Sequence, residues 1–358
     1  MAKSSGSDLR KAGQVTLKAV AAHVGLASGT VSVVLNNTPA ARAIPAKTKE
    51  RILAAARELG YRPNFFARSL RNQRTRTVGV IAEEIGDAYG SMVISGVEAY
   101  LRQHEYFFLT VIHRHDMSLL NRYVDMLMER GVEGFITVDT SLPQPLALPT
   151  VAVAGHRVLA GVTNVILNHE HAALIALQHL SQLGHSRIAF LKGNPISSDS
   201  ADRWRAICKI ANELGIAMDP DLILQIEIDD PTPQLGYPYG KELLKLKKPF
   251  TALFAYNDIS AIGAIRAFQE AGVRVPEDIS VVGFDDIREA AYSNPGLTTV
   301  HQPLRKMGEI AAQTLLQRIE TVPGDYPREI SVEPVLVIRQ STCKVAQLVR
   351  SREHLERD

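Results

Sequence analysis

Arg203 and Asp285 are the side chains best placed by sequence to hold a small polar ligand in this chain of 358 residues. Arg203 follows the Ser-rich turn Ser197-Ser198-Asp199-Ser200 at the start of a helical pattern. Its planar guanidinium can clamp vicinal hydroxyls or a carboxylate through two parallel hydrogen bonds. Asp285 ends an apolar strand-like run, where its carboxylate can accept from ligand hydroxyls. Other polar residues gather at 83–89, 113–116, 194–203, 257–258 and 285–286. Asn257 and Asp258 can also serve as helix caps, and His156 suits either a ligand contact or a hinge. His113-Arg114-His115-Asp116 puts two imidazoles on one strand face, but without a third ligand in reach no metal is expected. The glycines Gly86 and Gly90 match neither the phosphate-loop nor the dinucleotide spacing. No nucleophile elbow or catalytic carboxylate pair stands out, so the chain is not expected to be an enzyme, and no cofactor is implied.

These residues fall where apolar strands end. From Thr77 onward, strand patterns at 78–82, 106–112, 134–138, 150–154, 164–167, 187–191, 222–228, 250–256 and 279–284 alternate with amphipathic helical patterns. Continuous apolar strands between amphipathic helices imply an α/β fold whose parallel sheets are covered on both faces. Two doubly wound halves with a cleft between them follow, and ligands in such sheets bind beyond the carboxyl ends of the strands.

A different chemistry stands at the other end of the chain. In residues 15–25, Thr16 can cap a short helix, Leu17, Val20, Ala21 and Val24 form its apolar stripe, and Gly25 ends it. A second short helix is expected at 30–36, with Val31, Val34 and Leu35 on one face. Two short helices joined by a Gly-containing turn make a helix-turn-helix, whose second helix enters the DNA major groove. A third helix is expected at 45–59, opened by Pro45 and closed by Gly60. Residues 37–43 read as a loop carrying Arg42, and 72–77 as a polar linker. Charge agrees with this division. Residues 1–76 hold 14 Lys and Arg against 3 Asp and Glu, whereas the remainder holds 26 against 35. A basic head on an acidic body suits binding to a phosphate backbone.

The run Val15-Thr16-Leu17, Ala21-Ala22, Gly25, Thr30-Val31-Ser32, Leu35-Asn36 and Gly60-Tyr61-Arg62-Pro63-Asn64 with Ala67 and Leu70 resembles the lactose/galactose repressor (LacI/GalR) family. So do 183–189, 255–258 with Gly263, 275–286, and 297–303, and the resemblance spans about 15–342. It implies an all-α helix-turn-helix headpiece followed by a periplasmic-binding-protein-like core of two doubly wound subdomains. The expected division is a flexible leader at 1–14, the DNA-binding domain at 15–62 and a hinge with linker at 63–77. The effector-binding and dimerisation domain then occupies 78–342, and a charged tail 343–358. One subdomain is expected at about 78–155 with 288–322, the other at about 160–285 with 328–342. Crossovers are expected near Gly155, at 286–295 and at 324–328. The helix at 304–319 returns to the first half, and a final strand at 330–338 joins the second.

On DNA, Thr16, Thr30 and Asn36 are expected at phosphates, Ser28, Gly29 and Val33 at the base edges, and Arg42 on its loop nearby. The second helix departs from relatives that carry large polar side chains there, since Val33 can only pack on a thymine methyl. The resemblance further assigns Asn64, Ala67 and Leu70 to a hinge segment that folds on operator DNA, with Leu70 wedged into the minor groove. Tyr89, Arg203, Asn257 and Asp285 are assigned to the effector. The implied protein is a regulator, most simply a repressor, that binds palindromic operator DNA as a homodimer under control of a small molecule, with a tetramer left open. The effector class implied is a sugar or sugar derivative. A solute-binding receptor without a regulatory role is the alternative reading. Two distant cysteines, Cys208 and Cys343, and the absence of any membrane-length apolar run or secretory leader point to the cytoplasm.

Overall fold

A computed structural model of the protein describes residues 15–62, 69, 74–155, 157–195, 198–227, 230, 232–320 and 326–345. The expected leader, the hinge positions Asn64, Ala67 and Leu70, and His156 lie outside them. The chain divides into two units at Thr75, and each is described by itself.

In the first unit, helix α1 (Leu17–Val24) is capped by Thr16, whose Oγ1 accepts from the Ala19 amide at 3.2 Å. Gly25 closes it in the left-handed region at φ 63°. Helix α2 spans Ser28–Leu35, two residues earlier than the apolar periodicity suggests. The carbonyl of Ala27 already accepts from Val31, which brings Ser28 and Gly29 into the first turn. Helix α3 (Ala46–Glu58) completes a core in which Val20, Val31 and Ile52 are fully buried. Arg51 ties α3 to α1 by donating to the Val24 carbonyl at 2.7 Å. The segment expected as a loop is instead a 3₁₀ turn, Pro39–Ala43. Pro39 presets φ at its start, and Ala41 buries its methyl.

The described residues of the second unit form twelve strands: β1 (Thr77–Ala82), β2 (Phe107–Ile112), β3 (Phe135–Val138), β4 (Thr150–Val153), β5 (Val162–Leu167), β6 (Ile188–Lys192), β7 (Ile223–Gln225), β8 (Ala252–Phe254), β9 (Ser280–Asp285), β10 (Thr298–His301), β11 (Glu329–Val332) and β12 (Val335–Val337). They form two six-stranded sheets, ordered β11-β5-β4-β3-β1-β2 and β12-β10-β9-β8-β6-β7. All pairings are parallel except β10 with β12. The flanking helices include α4 (Ala88–Gln103), α5 (Met117–Glu129), α6 (His169–Gln182), α7 (Ser198–Glu213), α8 (Tyr237–Lys245), α9 (Asp258–Glu270), α10 (Arg288–Tyr292) and α11 (Leu304–Glu320).

Each of the three passages between the halves lies later in the chain than the sequence suggests. Strand β5, expected in the second half, pairs with β4 in the first sheet, Val151 opposite Thr163. The first passage is therefore at Asn168. Strand β10, expected in the first half, pairs with β9 in the second sheet, so the next passage is at Gln302 and Pro303. Its run Thr298-Thr299 lacks the apolar signature of a central strand, but the Thr299 hydroxyl is satisfied by Asp258 at 2.5 Å. The segment 330–338 is two strands rather than one. Pro334 cannot donate to a ladder, and there the chain leaves β5 as β11 and joins β10 as β12.

Helix α11 does return to the first half, packing on α4. The two backbones meet where side chains are missing: a methyl on Gly96 would overlap the Arg305 carbonyl oxygen, and one on Gly308 that of Val93. Gly308→Ala must push these helices apart, and we expect it to destabilise the second unit by about 2 kcal/mol or more, read as a lowered denaturant midpoint. An unchanged midpoint would show that the contact is looser than the backbone approach implies.

Candidate functional site

The carboxyl ends of both sheets open on a shared cavity of about 410 Å³, and Tyr89, Arg203, Asn257 and Asp285 all line it. Arg203, on the first turns of α7, is only 4% exposed. One guanidinium nitrogen donates to the Tyr256 carbonyl at 2.6 Å, and another pairs with Asp199 one turn earlier. Its charged plane lies 3.7 Å from the centre of the Phe284 ring and 4.7 Å from that of Tyr256. Burial opposes the charge, but the Asp199 carboxylate, together with Tyr256, Asp285 and Tyr89, outweighs it and keeps the guanidinium more firmly protonated than usual. The Nε of Arg203 is buried without a hydrogen-bond partner, and so is the Tyr89 hydroxyl. Burial, followed by the charges of Asp199, Asp139 and Asp285, holds the Tyr89 phenol well above its ordinary pKa.

Asp285 accepts from Gln302 Nε2 at 2.6 Å, yet burial pushes its carboxyl up to about 7 against the pull of Arg203 and Gln302. Asn257 is the helix cap that the Asn-Asp pair could supply: its Oδ1 accepts from the Ser260 amide at 2.9 Å, and Ser260 Oγ accepts in return. Asp258 is a buried anchor instead, accepting from Thr299 and from the Ile287 amide at 2.9 Å.

The wall also contains residues that sequence reasoning did not single out. Asp139 follows β3, Tyr256 follows β8, and Asp230 stands in the segment after β7. The strand-end rule that pointed to Asp285 would have found the first two. Glu83, Glu84, Asp87, Arg114, His115 and Asp199 fall within the polar stretches noted above. His115 pairs with Glu83, and the neighbouring His113 is buried against Thr140 Oγ1 at 3.0 Å. Glu84 accepts from the Ile85 and Gly86 amides, which hold its carboxyl below the usual range. Several of these strand ends adopt the left-handed region without glycine: Arg114, His115, Asp139, Ala154, Asp285 and Asp286. Each such residue costs about 1–3 kcal/mol, and such strain collects where a site holds ligand groups in place.

The DNA-facing candidates belong to the first unit. Ser28, Gly29 and Arg42 are exposed, Thr30, Ser32 and Val33 partly so. Asn36 folds back on α2, its amide donating to the Ser32 carbonyl at 2.8 Å. Thr16 uses its hydroxyl on the α1 amide as described.

Residues 16–64 match the family described as bacterial regulatory proteins, lacI family, and residues 177–342 match the periplasmic binding protein-like domain. Over 335 residues the chain is 32% identical to the HTH-type transcriptional repressor PurR of Aliivibrio fischeri strain MJ11, covering 91% of this chain and 98% of that one. This chain belongs to the lacI family of regulatory proteins. The lac repressor dimer bound to operator and the anti-inducer ONPF superimposes with a TM-score of 0.79 at 27% identity, covering 92% of this chain and 99% of that one. The transcriptional regulator CelR in complex with cellobiose gives 0.66 at 28% identity, with 91% and 99% covered. This lacI-family protein therefore combines a DNA-binding helix-turn-helix headpiece with a core of the kind that binds small-molecule effectors.

The Asp285 carboxyl gives this lacI-family protein a pH signature. Between the ordinary value of 3.8 and about 7, the folded protein keeps a proton there that the unfolded chain has lost. Its contribution to stability is therefore lost as the pH rises through that window, at up to about 1.4 kcal/mol per pH unit. Asp285→Asn removes this loss, so the variant gains on the parent protein between about pH 5 and pH 7 in urea unfolding. A constant difference across that range contradicts the assignment.

Proposed function

We propose that this regulator is a repressor that grips palindromic operator DNA as a homodimer in the cytoplasm, catalyses no reaction, and is set by a small polyhydroxylated effector on Tyr89, Arg203, Asn257 and Asp285. The observation that carries the reading is the pair of orphaned polar groups in the cavity, Arg203 Nε and the Tyr89 hydroxyl. Buried donors without partners are costly, and ligand oxygens would satisfy both. The names of the relatives support repression, and CelR with cellobiose supports a sugar-like effector. Among the described residues no single helix is long and apolar enough to cross a membrane. The headpiece argues against a receptor without a regulatory role.

A connected set of contacts links the cavity to the passages between the halves. Arg203 pairs with Asp199, and Asp199 meets His169 at 2.9 Å. His169 opens α6 directly after the first passage, where Asn168 donates to Glu333 at 3.0 Å and His171 lies 2.6 Å from the same carboxylate. Glu333 itself stands at the third passage. An effector that favours one orientation of the halves would thereby change the spacing of the paired headpieces and hence operator affinity. Dimerisation is required because one short helix reads too few base pairs. Leu70, outside the described residues, is assigned to the minor-groove wedge.

Two experiments test this reading. Genomic fragments retained by the purified protein at moderate salt should enrich a short palindrome with a flexible pyrimidine–purine step at its centre. Salt-sensitive retention with no enriched sequence would overturn specific repression. Repeating the selection with Val33→Arg should change base preference at one symmetric operator position, by about 1–3 kcal/mol for a new bidentate contact to guanine. An unaltered preference removes Val33 from the base edges.

A further inference from the structure

We infer that the effector is a polyol bearing a protonated amine, such as an amino sugar, and that phosphorylated or carboxylated effectors are rejected. The inference rests on the cleft being the effector site and adds the charge of its ligand.

Among the described residues, seven carboxylates line the cavity against two guanidiniums and one imidazole. Even with all three of these basic groups counted as positive and Asp285 as neutral, the described residues carry three negative charges in excess. The cations, moreover, are already engaged. Arg203 is paired with Asp199, His115 with Glu83, and Arg114 lies 3.7 Å from Glu84. Among the described residues an incoming anion meets no uncommitted positive charge, and the low-dielectric walls strengthen its repulsion.

The acidic excess does not stand alone. Arg203, 4% exposed and with its Nε unpartnered, and the unpartnered Tyr89 hydroxyl share the same wall. A donor on a paired guanidinium and a phenol kept protonated suit hydroxyl oxygens rather than a free anion. Hydroxyls thus satisfy the neutral groups while an ammonium answers the surplus of carboxylates, and about 410 Å³ suits a ligand of small-sugar size. A bound ammonium would also favour ionisation of Asp285, so binding near neutral pH should release protons.

Trp204 offers the readout, because it is the sole tryptophan, follows Arg203 directly, and rests edge-on against Phe190 at 5.9 Å. Full-length protein is titrated with glucosamine and galactosamine, their N-acetyl forms, glucose, galactose and glucose 6-phosphate, following Trp204 emission and melting temperature. A free-amine hexosamine should bind at least tenfold more tightly than its N-acetyl form and the parent hexose, and glucose 6-phosphate should not bind. Glu84→Gln, which keeps the oxygen that accepts from the Ile85 and Gly86 amides, should reduce the preference for the amine over the parent hexose severalfold. Calorimetry in two buffers of different ionisation enthalpy should show proton release for the amine alone. Equal or tighter binding of an N-acetyl, neutral or phosphorylated sugar overturns the charge inference and leaves the cleft reading standing. No response to any of these sugars at 10 mM overturns both.

Discussion

A guanidinium taken out of water is the constraint around which the cleft is built. Stripping a charge of this size of its hydration costs several kcal/mol, and removing one partner of such a pair leaves the other uncompensated. Arg203 is therefore met from three directions. Asp199 reaches it from one turn back on α7, the Tyr256 carbonyl from the end of β8, and the Phe284 ring from β9. These elements are brought together only by the order of the second sheet, so a disturbance of that order is felt first at Arg203. The same dryness raises Asp285 and Tyr89, which face the same volume. Fold and ligand chemistry are in this sense one problem: the sheet order creates a dry pocket, and the dry pocket sets the protonation of its polar groups.

The passages between the halves turn that pocket into a device. Two of the three, at Asn168 and Glu333, are bonded to each other, and His169 connects them to the partner of Arg203. Helix α11, entering from the remaining passage at Gln302 and Pro303, is held against α4 by contacts that leave no room for a methyl group. Any reorientation of the halves would therefore carry α11 with the first half and fall on the three connecting segments.

Much of this was legible before any coordinates. Apolar periodicity placed the three headpiece helices to within a few residues, and the rule that ligands sit beyond strand ends drew attention to Arg203, Asp285 and the 83–89 stretch. What could not be read was membership of a sheet. Strands β5 and β10 carry no local mark of the half they join, because pairing is decided by long-range register rather than by composition. Thr298 and Thr299 concealed a central strand, since their polarity is matched by Ser341, Thr342 and Asp258, all distant in sequence. Asp230 escaped notice because it lies beyond the end of β7, outside the polar stretches that the strand ends marked. On α2, by contrast, the expectation failed only at its edge, where Ala27 starts the helix without a side-chain cap.

The interlaced path of the chain has a consequence for its biosynthesis. The headpiece is complete in itself after the first 75 residues, with its own core. Neither half of the second unit is. The first sheet lacks its edge until β11 has been made, and the second until β12 follows. A ribosome thus delivers a folded headpiece long before the module that governs it. Premature termination anywhere before the last strand yields a headpiece without a complete control domain, and the two halves settle together only once β11 and β12 have both been made.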